Sequence, residues 1–364
     1  AILTLKGWVE LFHASELRNP GKDKKRWEAA AATLKDVIDL QVYHLQPTIL
    51  DLWTEATNNN DEVIFDFQMS KQNGGRREGL FGPVFVKGVQ SSWGNMQPTQ
   101  ELVDDYCMAN GLPITDPASG YNKNNPYKNR EKRFYQSILY DGSMWQGEEI
   151  ITRVGVGSPN EIDTSSDSDV TNTGYYTRKT IDESVNGADN LQMSNGMANY
   201  IFFRYADVLL MYAEALNELT ASYEVPSWDG SITYTISRNV EDMRTGIKPL
   251  RMRAGVPDYD ADTYSNPIKF RIKLKRERQI ELFAEGKRYY DLRRWKDAEV
   301  EEAMPVYGCY TFMSNANKDL FHTPVPISNL SATFSPKMYF WPIKHSELKR
   351  NKLLTQNPGW TYND

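Results

Sequence analysis

Long apolar runs are missing from this 364-residue chain, and so is any excess of positive charge. A membrane-spanning helix needs about 20 apolar residues in succession. The most apolar stretch, Tyr200 to Leu219, is interrupted by Arg204, Asp207, Glu214 and Asn217. Lys and Arg number 42 against 48 Asp and Glu, a net charge of −6, so no basic surface is evident to neutralise a phosphate backbone, and nucleic acid is excluded as a partner. Cysteine is scarce. Cys107 and Cys309 rule out a disulfide-built scaffold and leave their own pairing open, because a bridge needs Cα atoms within about 7 Å. The four histidines, His13, His44, His322 and His345, are scattered, with no H-x-x-x-H pair and no cysteine at zinc spacing. No metal ligand set and no cofactor is therefore expected. Neither a G-x-S-x-G elbow nor a phosphate loop occurs, and Gly155-Val156-Gly157 reads as a turn.

What the chain does hold is aromatic rings with a polar handle: 21 Tyr and 9 Trp. Such rings suit sugar faces and peptide side chains, and equally core packing. Helical periodicity appears first at Ala1, Leu5, Trp8 and Phe12, predicting one apolar stripe that ends at Asn19-Pro20-Gly21. A second helix carries Trp27, Ala31, Leu34 and Ile38 on one face, and its small residues Ala29 to Ala32 allow close approach of a neighbour. Two such helices joined by a short turn form the unit of a tetratricopeptide-type repeat, although that repeat's consensus is absent. Asn58 to Asp61 reads as a turn and Glu62 to Phe67 as a strand.

From Gly74 to Asn199 the chain is rich in Gly, Asn, Ser, Pro and Tyr, including an acidic tract from Ser165 to Asp169. So long a stretch is not one loop, and an irregular subdomain of short strands and turns is predicted. Helices resume with Tyr205, Val208, Tyr212, Ala215 and Leu219 on one face, then around Val240 to Ala254, where Pro249 must remove a backbone hydrogen bond. Asn266-Pro267 carries the signature of a helix start. The tail from Gly308 reads as loop. The expected organisation is mainly α: a helix pair over 1–57, an irregular ligand-facing region with short strands over 58–199, a helical scaffold over 200–300 and an irregular C-terminal segment over 301–364.

Several stretches, in order, resemble the SusD (SusD/RagB-like) family. They include Pro98-Thr99-Gln100-Glu101-Leu102, Thr173-Gly174-Tyr175-Tyr176, Arg204-Tyr205-Ala206-Asp207 running to Ala213-Glu214-Ala215-Leu216-Asn217, and Arg251-Met252-Arg253-Ala254-Gly255. The most recognisable are Arg276-Glu277-Arg278-Gln279-Ile280-Glu281-Leu282 and Glu285-Gly286-Lys287-Arg288-Tyr289-Tyr290-Asp291-Leu292-Arg293-Arg294-Trp295, with Trp341-Pro342-Ile343 and Asn357-Pro358-Gly359-Trp360 near the end. Arg130-Glu131-Lys132-Arg133-Phe134 departs from the family's usual Arg-Asp-Pro-Arg-Phe. The resemblance implies a non-enzymatic, outward-facing lipoprotein of the outer membrane. Such a protein captures oligosaccharide or polysaccharide and delivers it to a SusC-like TonB-dependent transporter. It also implies a signal peptide, a lipidated cysteine and a helical region upstream of Ala1.

Glu277 and Glu281 stand four apart on one helical face, a spacing open to metal binding or acid–base work. Crowding by Arg276, Arg278, Arg288, Arg293 and Arg294 instead predicts ionised, paired carboxylates, so Glu277, Arg278, Glu281, Arg288 and Arg293 read as a structural ion network. The candidate ligand-binding residues are Trp93 with Asn95, Tyr121, Trp145 and Trp228, each set among Gly, Ser or Asn. Alternatives are a peptide-binding SusD-like receptor, a cytoplasmic helical-repeat adaptor, and a glycoside hydrolase using Glu148-Glu149 beside Trp145.

Overall fold

Helix α1 (Ile2–Ala14) and helix α2 (Lys24–Asp39) pack as an antiparallel pair in the computed structural model, which describes residues 1–165, 168–192, 194–313, 320–327 and 333–362. Asp23 caps α2 by accepting from the Lys25 N–H. The buried face of α1 is Thr4, Gly7, Leu11 and Ala14, not the predicted stripe of Ala1, Leu5, Trp8 and Phe12. Because α1 is apolar nearly all round, contact geometry decides which face turns inward. Gly7 lets the two helices approach until an added Cβ would stand 2.8 Å from Leu34 Cδ2, and Ala30, Ala31 and Ala32 line the other side. Trp8 and Phe12 are left half-buried on the flank, and Leu5 is exposed.

Helix α3 (Tyr205–Asn217) forms the centre of the core. Every residue from Ala206 to Asn217 is buried, as befits a helix packed on all sides. Helix α4 (Val240–Arg253) crosses it at Gly246, whose Cβ would fall 2.5 Å from the Leu209 carbonyl oxygen. The helix continues through Pro249 to Arg253. Helix α5 (Pro267–Glu281) starts at an Asn266 cap with Pro in its first turn, and the short helix α6 (Arg288–Arg294) follows the left-handed Gly286. The architecture is mainly α, with thirteen α-helices among the described residues and tetratricopeptide-like helix pairs as scaffold.

The strands occur as two-stranded antiparallel pairs. Strand β1 (Val63–Phe67) joins β2 (Tyr200–Arg204), so the irregular region is clasped at both of its ends. Strand β3 (Tyr223–Pro226) pairs with β4 (Thr233–Ile236). The tail is not all loop: β5 (Tyr307–Met313) pairs with β6 (Leu320–Pro326). Pro324 and Pro326 are tolerated there because β6 is bonded to β5 on one side and, among the described residues, to no strand on the other.

The middle region is folded around its own cores. One gathers Tyr106, Tyr127, Phe134, Ile138 and Tyr175, and another gathers Val84, Leu139, Trp145, Ile150 and Tyr176. Cys107 and Cys309 are free and buried. Positions 166 and 167 of the acidic tract lie outside the described residues.

Candidate functional site

Arginine–carboxylate pairs organise the scaffold. Along α5, Glu277 meets Arg133 at 2.6 Å and Arg251 at 3.0 Å, and Glu281 meets Arg204 at 2.8 Å, Arg133 at 3.0 Å, and Arg253. Arg204, at the junction of β2 and α3, also reaches Glu62 and Glu285, each at 2.7 Å. Lys179 pairs with Glu285 and donates to the carbonyls of Glu281 (2.7 Å) and Phe283 (2.8 Å). Glu131 joins through Arg133 at 2.8 Å, and Arg253 bonds Glu62 at 2.8 Å. Five carboxylates thus face five cations.

A second cluster lies on the other side of α5. Arg278 pairs with Asp207 (2.9 Å) and Asp291 (3.0 Å), Lys287 with Asp207 (3.0 Å), and Arg294 with Asp291 (2.8 Å) and Glu214, whose carboxylate also accepts from the Trp295 indole at 2.7 Å. Charge balance of this kind is the condition for burying ions. Arg288 and Arg293 do not join either cluster. They pair with Glu301 (3.3 Å) and Glu302 (2.7 Å) nearer the surface.

Burial alone raises a carboxyl pKa, but the cations outweigh it for most of these groups. Arg253, Arg204 and Arg133 hold Glu281 well below the usual carboxylate range; Glu277, Glu285 and Glu214 are lowered for the same reason, and Asp207 to about 2. Glu131 is raised, because burial and the neighbouring Glu277 exceed what Arg133 returns. Burial lowers Lys179 to about 8. Glu277 and Glu281 are therefore the reverse of a general acid, which needs a raised value.

A carboxylate whose folded pKa is depressed contributes stability above its unfolded value, near 4, and loses it as pH falls through the folded value. We expect the melting temperature to hold from pH 7 to about 5 and to drop steeply below about pH 4. Melting curves followed by circular dichroism would check this. An unchanged melting temperature at pH 3 would contradict the pairing.

The sequence-predicted ligand residues occupy separate places. Trp93 and Asn95 sit exposed on one loop, pinned by backbone bonds to Gly79 and Leu80. Tyr121 is half-buried, with the Arg130 guanidinium 5.9 Å from its ring. Trp145 is 4% exposed and belongs to a core. Trp228 is exposed at the turn between β3 and β4, where its backbone N–H donates to Asp36. Glu148 accepts from the Lys87 N–H, while Glu149 pairs with Arg153 at 3.1 Å, so the two adjacent carboxylates are engaged by different partners.

Another group of exposed rings lies elsewhere. A groove of about 500 Å³ runs between the end of α1, helix α6 and residues 339–341. Phe12, Leu17, Tyr339 and Phe340 line it, and Tyr289, Tyr290 and Trp341 expose 38%, 52% and 75% of their surface. Tyr289 and Tyr290 meet edge-on at 5.2 Å, and the Arg293 guanidinium covers Tyr289 at 3.4 Å. Scaffold and groove are connected. Asp291 and Arg294 turn inward to the second ion cluster, and the same helical turns therefore present Tyr289 and Tyr290 outward. An arrangement of stackable rings flanked by hydrogen-bond donors can hold a flat, hydroxyl-bearing ligand without any reacting group. The sequence reading did not single out these rings, because Tyr289, Tyr290 and Trp341 sit inside the family-like stretches.

Residues 61–360 match the model of the SusD family. Over 167 residues the chain is 34% identical to SusD-like protein P2 of Formosa agariphila, a match that spans 44% of this chain and 26% of that protein. Among solved structures, a SusD-like protein of Bacteroides fragilis superposes with a TM-score of 0.72 at 27% identity, covering 98% of this chain and 64% of the other. A second B. fragilis protein, described as a SusD-like carbohydrate binding protein, has a TM-score of 0.68 at 25% identity, covering 91% and 62%. The chain thus spans less than two thirds of the length of these relatives.

Proposed function

The chain belongs to the SusD family, and from that premise we propose that it captures glycan at the cell surface and passes it to a SusC-like TonB-dependent transporter. One observation carries the reading: the groove sets the exposed ring of Trp341 beside Tyr289 and Tyr290, which stand on a helix whose opposite face is locked into buried ion pairs. Aromatic faces pack against the apolar faces of sugar rings, and a preformed site avoids the ordering cost that weakens binding by mobile loops. Trp93 with Asn95, Tyr121 and Trp228 supply further contacts for a long polymer. Trp145 positions the loops from within the core. Capture involves no bond cleavage. Attachment is through a lipid on an upstream cysteine; among the described residues no helix is long and apolar enough to cross a membrane.

The test is affinity electrophoresis through gels containing a panel of polysaccharides, with reducing ends assayed in parallel. Retardation by at least one polymer is expected, with no release of reducing ends. Free migration through every gel, together with binding to peptides, would replace this reading with a peptide receptor.

A further inference from the structure

We propose that the groove prefers glycans bearing a negative charge, a carboxylate or sulfate ester, and that Arg18 is the group that meets it. This inference rests on the glycan reading above. In a chain of net charge −6, the charged groups lining this groove are Arg18, Arg293 and Arg294, beside the titratable His13, Tyr289, Tyr290 and Tyr339, with no Asp or Glu among its described lining residues. Two of the arginines are already committed, Arg293 to Glu302 and Arg294 to Glu214 and Asp291.

Arg18 is not. Its guanidinium lies 4.7 Å from the Phe340 ring centroid and has no carboxylate partner among the described residues. Its position is nonetheless held, because Arg26 of α2 donates to the backbone carbonyls of both Arg18 (2.7 Å) and His13 (3.2 Å). That contact holds the two residues at the rim through their main-chain carbonyls and uses none of their side-chain donors. A guanidinium held over a ring presents its planar fork to the two oxygens of a carboxylate or sulfate. A neutral sugar can satisfy Arg18 only through hydroxyls.

The test uses the full chain, titrated with polygalacturonate and its methyl-esterified form, and with a sulfated galactan and its desulfated form. At least one charged polymer is expected to bind about tenfold or more tightly than its neutralised counterpart. Which pair shows the difference identifies carboxylate or sulfate as the group read. Arg18→Ala should lose about tenfold for that polymer, Arg18→Lys should retain part of it, and added salt should weaken the wild type more than Arg18→Ala. Melting curves confirm that the variants fold; Arg18 is exposed, so no change is expected. Equal binding of charged and neutral forms, or wild-type affinity in Arg18→Ala, would overturn the proposal while leaving glycan capture standing. Failure of every glycan, charged or neutral, would overturn both.

Discussion

Replacing Glu281 with alanine should destabilise the fold by about 3–5 kcal/mol, the usual cost of removing one partner from a buried ion pair. Glu281 is fully buried and contacts three guanidinium groups, those of Arg133, Arg204 and Arg253. Without it, five cations would face four carboxylates in the first cluster. Coulombic attraction alone does not explain why such a network persists, since desolvation offsets much of it. What the geometry supplies is connectivity. Arg204 ties the β2–α3 junction to Glu62 ahead of β1 and to Glu285 beyond α5, while Arg133 and Lys179 tie the irregular region to α5.

With total stabilities of roughly 5–15 kcal/mol, the Glu281→Ala loss should shift a urea midpoint strongly. Arg288→Ala breaks a pair with Glu301 that is partly exposed on both sides, and should cost less than about 1 kcal/mol. Equal, small shifts for the two variants would mean that the buried cluster does not hold the scaffold together.

Much of this fold is written locally. The caps at Asp23 and Asn266 and the apolar periods of α2 and α3 mark their helices directly. Helix α1 is the contrary case: apolar residues on nearly every side leave periodicity unable to choose a face, and the fit of Gly7 to Leu34 chooses instead. The C-terminal hairpin was hidden because Pro324 and Pro326 read as breakers, and they are breakers only where both strand edges are bonded. Arginine crowding around Glu277 and Glu281 is visible in sequence. Their partners are not, since Arg133 lies 148 residues before Glu281 and Arg204 lies 77 before it. The groove is least legible of all. It draws on α1, α6 and residues 339–341, segments with no local signal that they meet.

Removal of two exposed rings, Tyr290→Ala with Trp341→Ala, is expected to weaken glycan binding about a hundredfold, because ring contacts at the centre of a binding surface carry most of its energy. Both side chains are more than half exposed, so stability should hold. Tyr289 is the less clean choice, as Arg293 stacks upon it and pairs with Glu302.

Isothermal titration of the wild type and this double variant, using whichever polysaccharide retards the protein most, bears most directly on the assignment of the site. Loss of measurable heat in a variant that melts like the wild type is the predicted result. Undiminished binding by the double variant, with loss in Trp93→Ala instead, would move the site to the irregular region and contradict the account.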